Sequence, residues 1–169
     1  LRLTHYAAAA ILSGTAGCAS GKTVMAVNAP LVDLRTEPHT VLEPGRQDLQ
    51  QETQLVYGER VRLHAQADGW ARIEALEQPE FTHARRWEGY PGWVPLASLI
   101  PWESLREPTI VVTEKWVEAS EDPQILTPAR WRFSLGTRLR ATEMGGHIWM
   151  GELLDGAVVW IPFRAARAL

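Results

Sequence analysis

The chain has 169 residues, of which 46% are hydrophobic and 22% are charged, and its formal net charge is −3. This composition is that of one globular domain or of two small ones. Arginine supplies 15 of the 17 basic residues and is spread along the chain, which excludes the basic stripe of a nucleic-acid-binding surface. The eight tryptophans are unusual, because large aromatic side chains either fill the cores of small β-domains or anchor ligands.

The N-terminus predicts export. Residues 1–17 are interpreted as a signal peptide of the lipoprotein type, with an apolar stretch at residues 6–12 and small residues after it. That stretch is shorter than the roughly 20 residues of a transmembrane helix. Residues 15–18 (Thr-Ala-Gly-Cys) resemble a bacterial lipobox, whose cysteine, here Cys18, becomes lipidated. Thr15 stands where a lipobox usually has leucine.

The alternatives for this region are a plain signal peptide cut near Ala19 and a leftover cysteine at position 18. A lipid on Cys18 would hold the protein in the bacterial cell envelope, facing the periplasm, and on the outer membrane if the cell is Gram-negative. Because Cys18 is the only cysteine, no intrachain disulfide is expected. Residues 18–26 begin with small and polar side chains and are predicted to be a tether.

Short strand signals follow, separated by glycine and proline. The predicted strand regions of the first domain, residues 27–101, are 27–34, 55–57, 61–63, 70–74 and the stretch from Trp93 onward. Asp68-Gly69 predicts a hairpin. Pro91-Gly92 predicts a tight turn of type II, with glycine at the positive φ. The polar residues 77–88 are interpreted as an inserted loop.

The second half of the chain repeats the first. The matching segments are residues 58–63 with 136–141, residues 69–72 with 147–150, and residues 93–98 with 160–165. An internal repeat indicates the architecture directly, here two copies of one small β-barrel with the second over residues 109–169. A barrel of about 60 residues is marginally stable alone, so we expect the two copies to pack together.

Four motifs of the first half occur in order and at matching spacing. They are Asp33–Pro38, Gln51–Glu59, Gly69–Ile73 and Tyr90–Val94. Together they resemble the bacterial SH3 domain that precedes NlpC/P60 cysteine peptidases, enzymes that cut peptidoglycan stem peptides. The resemblance covers residues 27–101. It implies an all-β fold of two tandem SH3-like small β-barrels after the N-terminal signal and tether.

The resemblance also implies a binding site. In the related peptidases the SH3 domain borders the active site and helps to recognise the free amine of the stem peptide. Glu52 and Tyr90 are the candidates here, because a carboxylate pairs with an ammonium group and a phenol adds a directed hydrogen bond. Trp93 and Trp87 are candidates for apolar contact with the ligand, and Arg85 for contact with a ligand carboxylate.

Each candidate has a structural alternative. Glu52 and Arg85 also fit the alternative of solvated surface charges, which is the usual position of such residues. Trp93 is equally compatible with the start of a core strand, while a buried Tyr90 would have to place its hydroxyl group.

The sequence predicts no catalytic residue, no metal site and no cofactor. The only thiol, Cys18, lies at the membrane end of the chain, so a Cys/His nucleophile pair cannot be assembled with it. The histidines lack the spacing of metal ligands.

Three functions remain as hypotheses. The first is a non-enzymatic binding module for peptidoglycan or its stem peptides. The second is a protein-interaction lipoprotein whose groove holds the tail of an envelope protein. The third is the non-catalytic part of a split NlpC/P60 hydrolase that acts with a separate partner.

Overall fold

The computed structural model describes residues 23–39, 48–81, 85–103, 107–123 and 131–169. These residues form β-strands, turns and two single-turn 3-10 helices. The all-β prediction is therefore confirmed. The signal peptide predicted for residues 1–17 and the lipidation site Cys18 lie outside the described residues.

The first half forms a seven-stranded antiparallel sheet. Its strands are β1 (Val24–Val27), β2 (Leu31–Arg35), β3 (Gln51–Val56), β4 (Arg60–Ala67), β5 (Trp70–Phe81), β6 (Trp87–Pro95) and β7 (Leu99–Pro101). They are ordered β3-β2-β6-β5-β4-β1-β7. In the described part of the chain β3 and β7 do not pair with each other, so the strand pairs of this sheet do not close into a ring.

The second half uses the same layout. Its strands are β8 (Ile110–Val112), β9 (Trp116–Ala119), β10 (Trp131–Ser134), β11 (Arg138–Met144), β12 (Ile148–Glu152), β13 (Val158–Pro162) and β14 (Ala166–Ala168). They form a five-stranded sheet, β13-β12-β11-β8-β14, and a two-stranded sheet, β10-β9. A bridge between Ser120 and Trp160 joins the two sheets.

The predicted repeat is present in the strand order. Each strand of the first half has its counterpart seven strands later, with the same neighbours. Trp93 lies opposite Arg35 just as Trp160 lies opposite Ser120. Both copies then continue through a proline into a 3-10 helix, Leu96–Ser98 in the first and Phe163–Ala165 in the second. The domain boundaries at residues 27–101 and 109–169 stay a prediction.

Each half has its own hydrophobic core. Leu34, Leu55 and Ile73 are among the fully buried residues of the first core, and Phe133 and Ile161 are among those of the second. The alternation of buried and exposed residues along the strands produces these cores, because side chains on a strand point to opposite faces in turn.

One residue of the first half is buried in the second core. Tyr57 follows β3 and is only 2% exposed. Its ring meets the rings of Trp131 and Phe133 edge-on, at centroid distances of 5.4 and 5.3 Å. The backbone N–H of Leu154 donates a hydrogen bond to the Tyr57 hydroxyl. The two copies therefore pack together, as their small size predicts.

An ion-pair network also links the two halves. Glu77 on β5 accepts hydrogen bonds from the guanidinium groups of Arg60, at 3.1 Å, and of Arg138, at 3.0 Å. Arg138 belongs to β11 of the second half. The network is partly solvated, so its contribution to stability is small compared with that of the buried Tyr57.

Two local predictions are corrected. Residues 24–26, predicted as the end of a tether, belong to β1, because Met25 and Ala26 are buried between β4 and β7. Residues 77–88 are mostly strand and not an inserted loop, since β5 runs to Phe81 and β6 begins at Trp87. A bulge between Ala75 and Pro79 absorbs the extra residues.

The predicted hairpin at Asp68-Gly69 is confirmed. It joins β4 to β5, and both residues have positive φ, 49° and 81°. Two successive positive φ angles match the twist of the paired strands. Asp68 and Gly69 tolerate this conformation, which most other residues resist.

A cavity of about 180 Å³ lies between the two halves, and Glu59 is one of the residues that line it. Burial raises the pKa of Glu59 to about 7, and the charge of Glu77 acts in the same direction. Gln78 opposes the shift, because its amide donates hydrogen bonds to both carboxylate oxygens, at 3.0 and 3.3 Å. Glu59 is thus a titrating group at the junction of the two halves.

This shift predicts a pH dependence of stability. Between pH 4.5 and about 7, Glu59 is protonated in the folded protein and ionised in the unfolded chain. Stability from this group is therefore present below pH 4.5 and is lost as the pH rises through 7. We expect Glu59→Gln to raise the unfolding midpoint in urea at about pH 8 and to change it little at about pH 4. Glu143→Gln, at an exposed glutamate of the second half, is the control. An equal effect of Glu59→Gln at both pH values would contradict the prediction.

Candidate functional site

A groove of about 440 Å³ crosses β6 where that strand passes β2 and β3. Its lining residues are Thr36, Glu52, Arg72, Glu80, Tyr90, Pro91, Gly92 and Trp93. We call this the Tyr90 groove. Strands β2, β3, β5 and β6 supply or directly precede all of these residues, so the groove is held by the sheet.

Pro91 and Gly92 do not form the predicted turn. They lie within β6, where Pro91 pairs with Glu74 and Gly92 with Ile73. Gly92 is required for a different reason, because a Cβ atom there would lie 2.8 Å from Leu34 Cγ and 2.9 Å from the Arg35 carbonyl oxygen. Because Gly92 has no side chain, β6 lies close to β2 at this point, and Gly92 itself lines the groove.

Tyr90 and Glu52 meet at one end of the groove. The Tyr90 ring packs against the first core, and its hydroxyl donates a hydrogen bond of 2.9 Å to Glu52 Oε2. Because Glu52 accepts this hydrogen bond, the pKa of Tyr90 is raised to about 12, and burial and the charge of Glu80 add to the shift. The phenol therefore stays protonated. The carboxylate of Glu52 is exposed, which leaves it accessible to a ligand cation.

A second groove, of about 510 Å³, adjoins the first on the face of β4 and β5. It is lined by Arg62, His64, Arg72, Ile73, Glu74, Arg86, Glu88, Gly89 and Pro91. We call it the Arg62 groove. Arg72 and Pro91 line both grooves, so the two form one continuous surface.

Ion pairs neutralise most charges of the Arg62 groove. Glu74 accepts hydrogen bonds from Arg62 and from His64, and Arg86 pairs with Glu88 at 2.8 Å. Burial raises the pKa of Glu74, but the hydrogen bonds from Arg62 and from the Gly89 N–H outweigh it and lower the pKa overall. The guanidinium groups of Arg62 and Arg86 are therefore already engaged by carboxylates of this chain.

The structure brings three of the five predicted ligand-binding residues together. Glu52, Tyr90 and Trp93 line the same groove, and Trp93 is half-buried. Trp93 is therefore both a strand residue and a groove residue.

The other two predicted residues are placed elsewhere. Trp87 is 70% exposed and packs edge-on against Phe81, at a centroid distance of 5.8 Å. Arg85 precedes it at the end of the long β5–β6 hairpin, with φ at 56°. Neither residue is among those that line the Tyr90 groove, so ligand contact by Trp87 and Arg85 stays a prediction.

Sequence reasoning missed Arg72 and Glu80. Arg72 lies inside the Gly69–Ile73 motif, and its alternation with buried Ala71 and Ile73 already indicated an exposed position. Glu80 lies in the segment that was predicted to be a loop. Its place in the groove follows from the extension of β5, which no local pattern indicated.

The described residues contain neither a metal-binding cluster nor a membrane-spanning helix. Within the described ranges, no group of three His, Cys, Asp or Glu side chains is arranged to hold a metal ion. In that same part of the chain, no helix is long and apolar enough to span a membrane.

Comparison with known proteins gives a fold relationship. No protein-family model and no curated protein matches the sequence. The structure is similar to the crystal structure of an NlpC/P60 family protein from Bacillus cereus ATCC 10987, with a TM-score of 0.70 and 20% identity. The match covers 87% of this chain and 56% of that one, so this chain spans little more than half of the solved protein.

A second match is more distant. The structure of NlpC2 from Trichomonas vaginalis matches with a TM-score of 0.32 and 11% identity, over 87% of this chain and 48% of that one. The fold relationship rests on the Bacillus cereus structure, with its TM-score of 0.70.

Proposed function

We propose that this protein is a non-enzymatic binding module of the bacterial cell envelope that recognises peptidoglycan through its stem peptides. The observation that carries the proposal is the hydrogen bond between Tyr90 and Glu52 in an open groove beside Trp93. A carboxylate backed by a neutral phenol suits the free ammonium group of a peptide. The ring of Trp93 supplies apolar surface for the adjoining side chain.

The charge of the groove supports a cationic ligand group. Glu52 and Glu80 place two carboxylates at its Tyr90 end, and neither forms an ion pair with another described residue. An arriving ammonium group would gain a charge-assisted hydrogen bond there without breaking an ion pair between described residues.

The proposed location agrees with this ligand. We propose that export and lipidation of Cys18 hold the module at the membrane, where it meets the cell wall. The Tyr90 groove lies in the first half of the chain, and the second half stabilises the first through Tyr57 and Glu77.

Co-sedimentation with purified peptidoglycan sacculi tests the proposal. We expect the unaltered protein to pellet with sacculi, and Glu52→Gln and Trp93→Ala to bind at least about tenfold more weakly. Glu52 is exposed, so its replacement leaves the core intact. Trp116→Ala is the matched control, since Trp116 is 39% exposed, stacks with Arg132 and belongs to the second half.

Two results would overturn the proposal. One is sedimentation of all variants to the same extent, which would mean that the groove does not take part. The other is the absence of binding to sacculi together with the recovery of one envelope protein in a crosslinked pull-down, which would favour the protein-interaction lipoprotein.

A further inference from the structure

Arg72 is an exposed cation at the point where the two grooves meet. It lies near the start of β5 and lines both the Tyr90 groove and the Arg62 groove. Unlike those of Arg62 and Arg86, its guanidinium group forms no ion pair or hydrogen bond with another residue in the described part of the chain. Its guanidinium group is therefore available to a ligand.

The charges along the Tyr90 groove are arranged with opposite signs at its two ends. Glu52 and Glu80 supply negative charge around the Tyr90 hydroxyl, and Arg72 is the only cationic residue among those that line this groove in the described ranges. A ligand that matches both ends carries a cation and an anion. A peptide with a free amino group and a carboxylate has this pattern.

Strand pairing sets the distance between the two ends. Ala75 lies opposite Tyr90 and Arg72 lies opposite Trp93, so the backbone positions of Tyr90 and Arg72 are three residues apart along the strands, or about 10 Å. An extended peptide advances about 3.3–3.6 Å per residue. A carboxylate borne two or three residues from a free amine therefore reaches Arg72, because the arginine side chain covers part of the distance.

We infer that Arg72 is a specificity-determining residue, which binds a carboxylate of a short peptide whose amino end lies at Glu52 and Tyr90. The inference rests on the proposed function and adds the chemistry of the ligand's other end. A guanidinium group can hold both oxygens of a carboxylate through parallel hydrogen bonds. The module then prefers peptides with free carboxylates over peptides whose carboxylates are amidated.

Calorimetric titration with three synthetic stem tripeptides tests this inference. The first has a free amino group and free carboxylates, the second is the same peptide with every carboxylate amidated, and the third is N-acetylated with free carboxylates. Each is titrated into the unaltered protein, into Arg72→Gln and into Glu52→Gln. Arg167→Gln is the matched control, because Arg167 is an exposed arginine on β14 outside both grooves.

We expect amidation to weaken binding to the unaltered protein about tenfold, as the loss of one charge-assisted contact predicts. In Arg72→Gln the free and amidated peptides should bind equally, while Arg167→Gln should behave as the unaltered protein does. If amidation has the same effect with and without Arg72, the inference is wrong.

The acetylated peptide separates this inference from the proposed function. If acetylation weakens binding and amidation does not, the proposed recognition of the amine is supported and the inferred role of Arg72 is wrong. If acetylation has no effect and Glu52→Gln binds normally, the proposed recognition of the amine fails. If none of the peptides binds, both fail.

Discussion

Replacement of Tyr57 by alanine is expected to lower the free energy of unfolding by about 3–5 kcal/mol, the usual cost of truncating a fully buried aromatic side chain. Tyr57 belongs by sequence to the first half but is buried in the core of the second, against Trp131 and Phe133. Its loss would leave a cavity in that core and remove a main contact between the halves. Urea denaturation followed by tryptophan fluorescence measures both effects, and we expect the single transition to broaden or divide.

Tyr57→Phe is the matched control for this prediction. It keeps the ring and removes only the hydroxyl that accepts the hydrogen bond from the Leu154 N–H. Loss of that partner should cost about 1–3 kcal/mol, because the N–H is left without its acceptor. A destabilisation by Tyr57→Ala no larger than that by Tyr57→Phe would show that the ring does not fill the second core.

Gly92→Ala is expected to destabilise the protein by about 1–3 kcal/mol, the range for overpacking a close-packed site. The added methyl group would approach the Arg35 carbonyl oxygen to 2.9 Å and the Leu34 side chain to 2.8 Å. Because the carbonyl belongs to the backbone, β6 must move away from β2, which deforms the Tyr90 groove. We therefore also expect binding to sacculi to weaken, and thermal denaturation with co-sedimentation measures both effects.

Pro91→Ala is the control beside it. Pro91 is exposed within β6 and lines the groove, so its replacement should change the unfolding temperature little. If Pro91 and Gly92 formed a tight turn, the loss of proline would matter through its fixed φ. A larger effect of Pro91→Ala than of Gly92→Ala would contradict the strand assignment.

Local signals in the sequence were enough for the repeat and for one hairpin. Asp68-Gly69 predicts its hairpin correctly because the positive φ angles are a property of those two residues and their nearest neighbours. The repeat is recognisable because both copies place the same residue types at the same strand positions, such as the proline before each 3-10 helix. The pairing of Glu52 with Tyr90 was expected from a family resemblance, and their hydrogen bond places the two side chains together.

Other features depend on residues that are distant in the sequence. A glycine in the sequence is compatible with a turn and with a close contact between strands. Which of the two applies at Gly92 depends on its contacts with Leu34 and Arg35, more than 50 residues earlier. The length of β5 likewise depends on its pairing with β6. As a result of this pairing, Glu80 lines the Tyr90 groove and Trp87 does not.

The amino-acid sequence alone was therefore sufficient for the all-β class, the repeated unit and the hairpin at Asp68-Gly69. The Tyr90 groove, the accessible charge of Arg72 and the insertion of Tyr57 into the second core became apparent only in the folded chain. The physical reason is that backbone preferences act between neighbours, whereas close packing and charge pairing act between surfaces that meet only after the strands have paired.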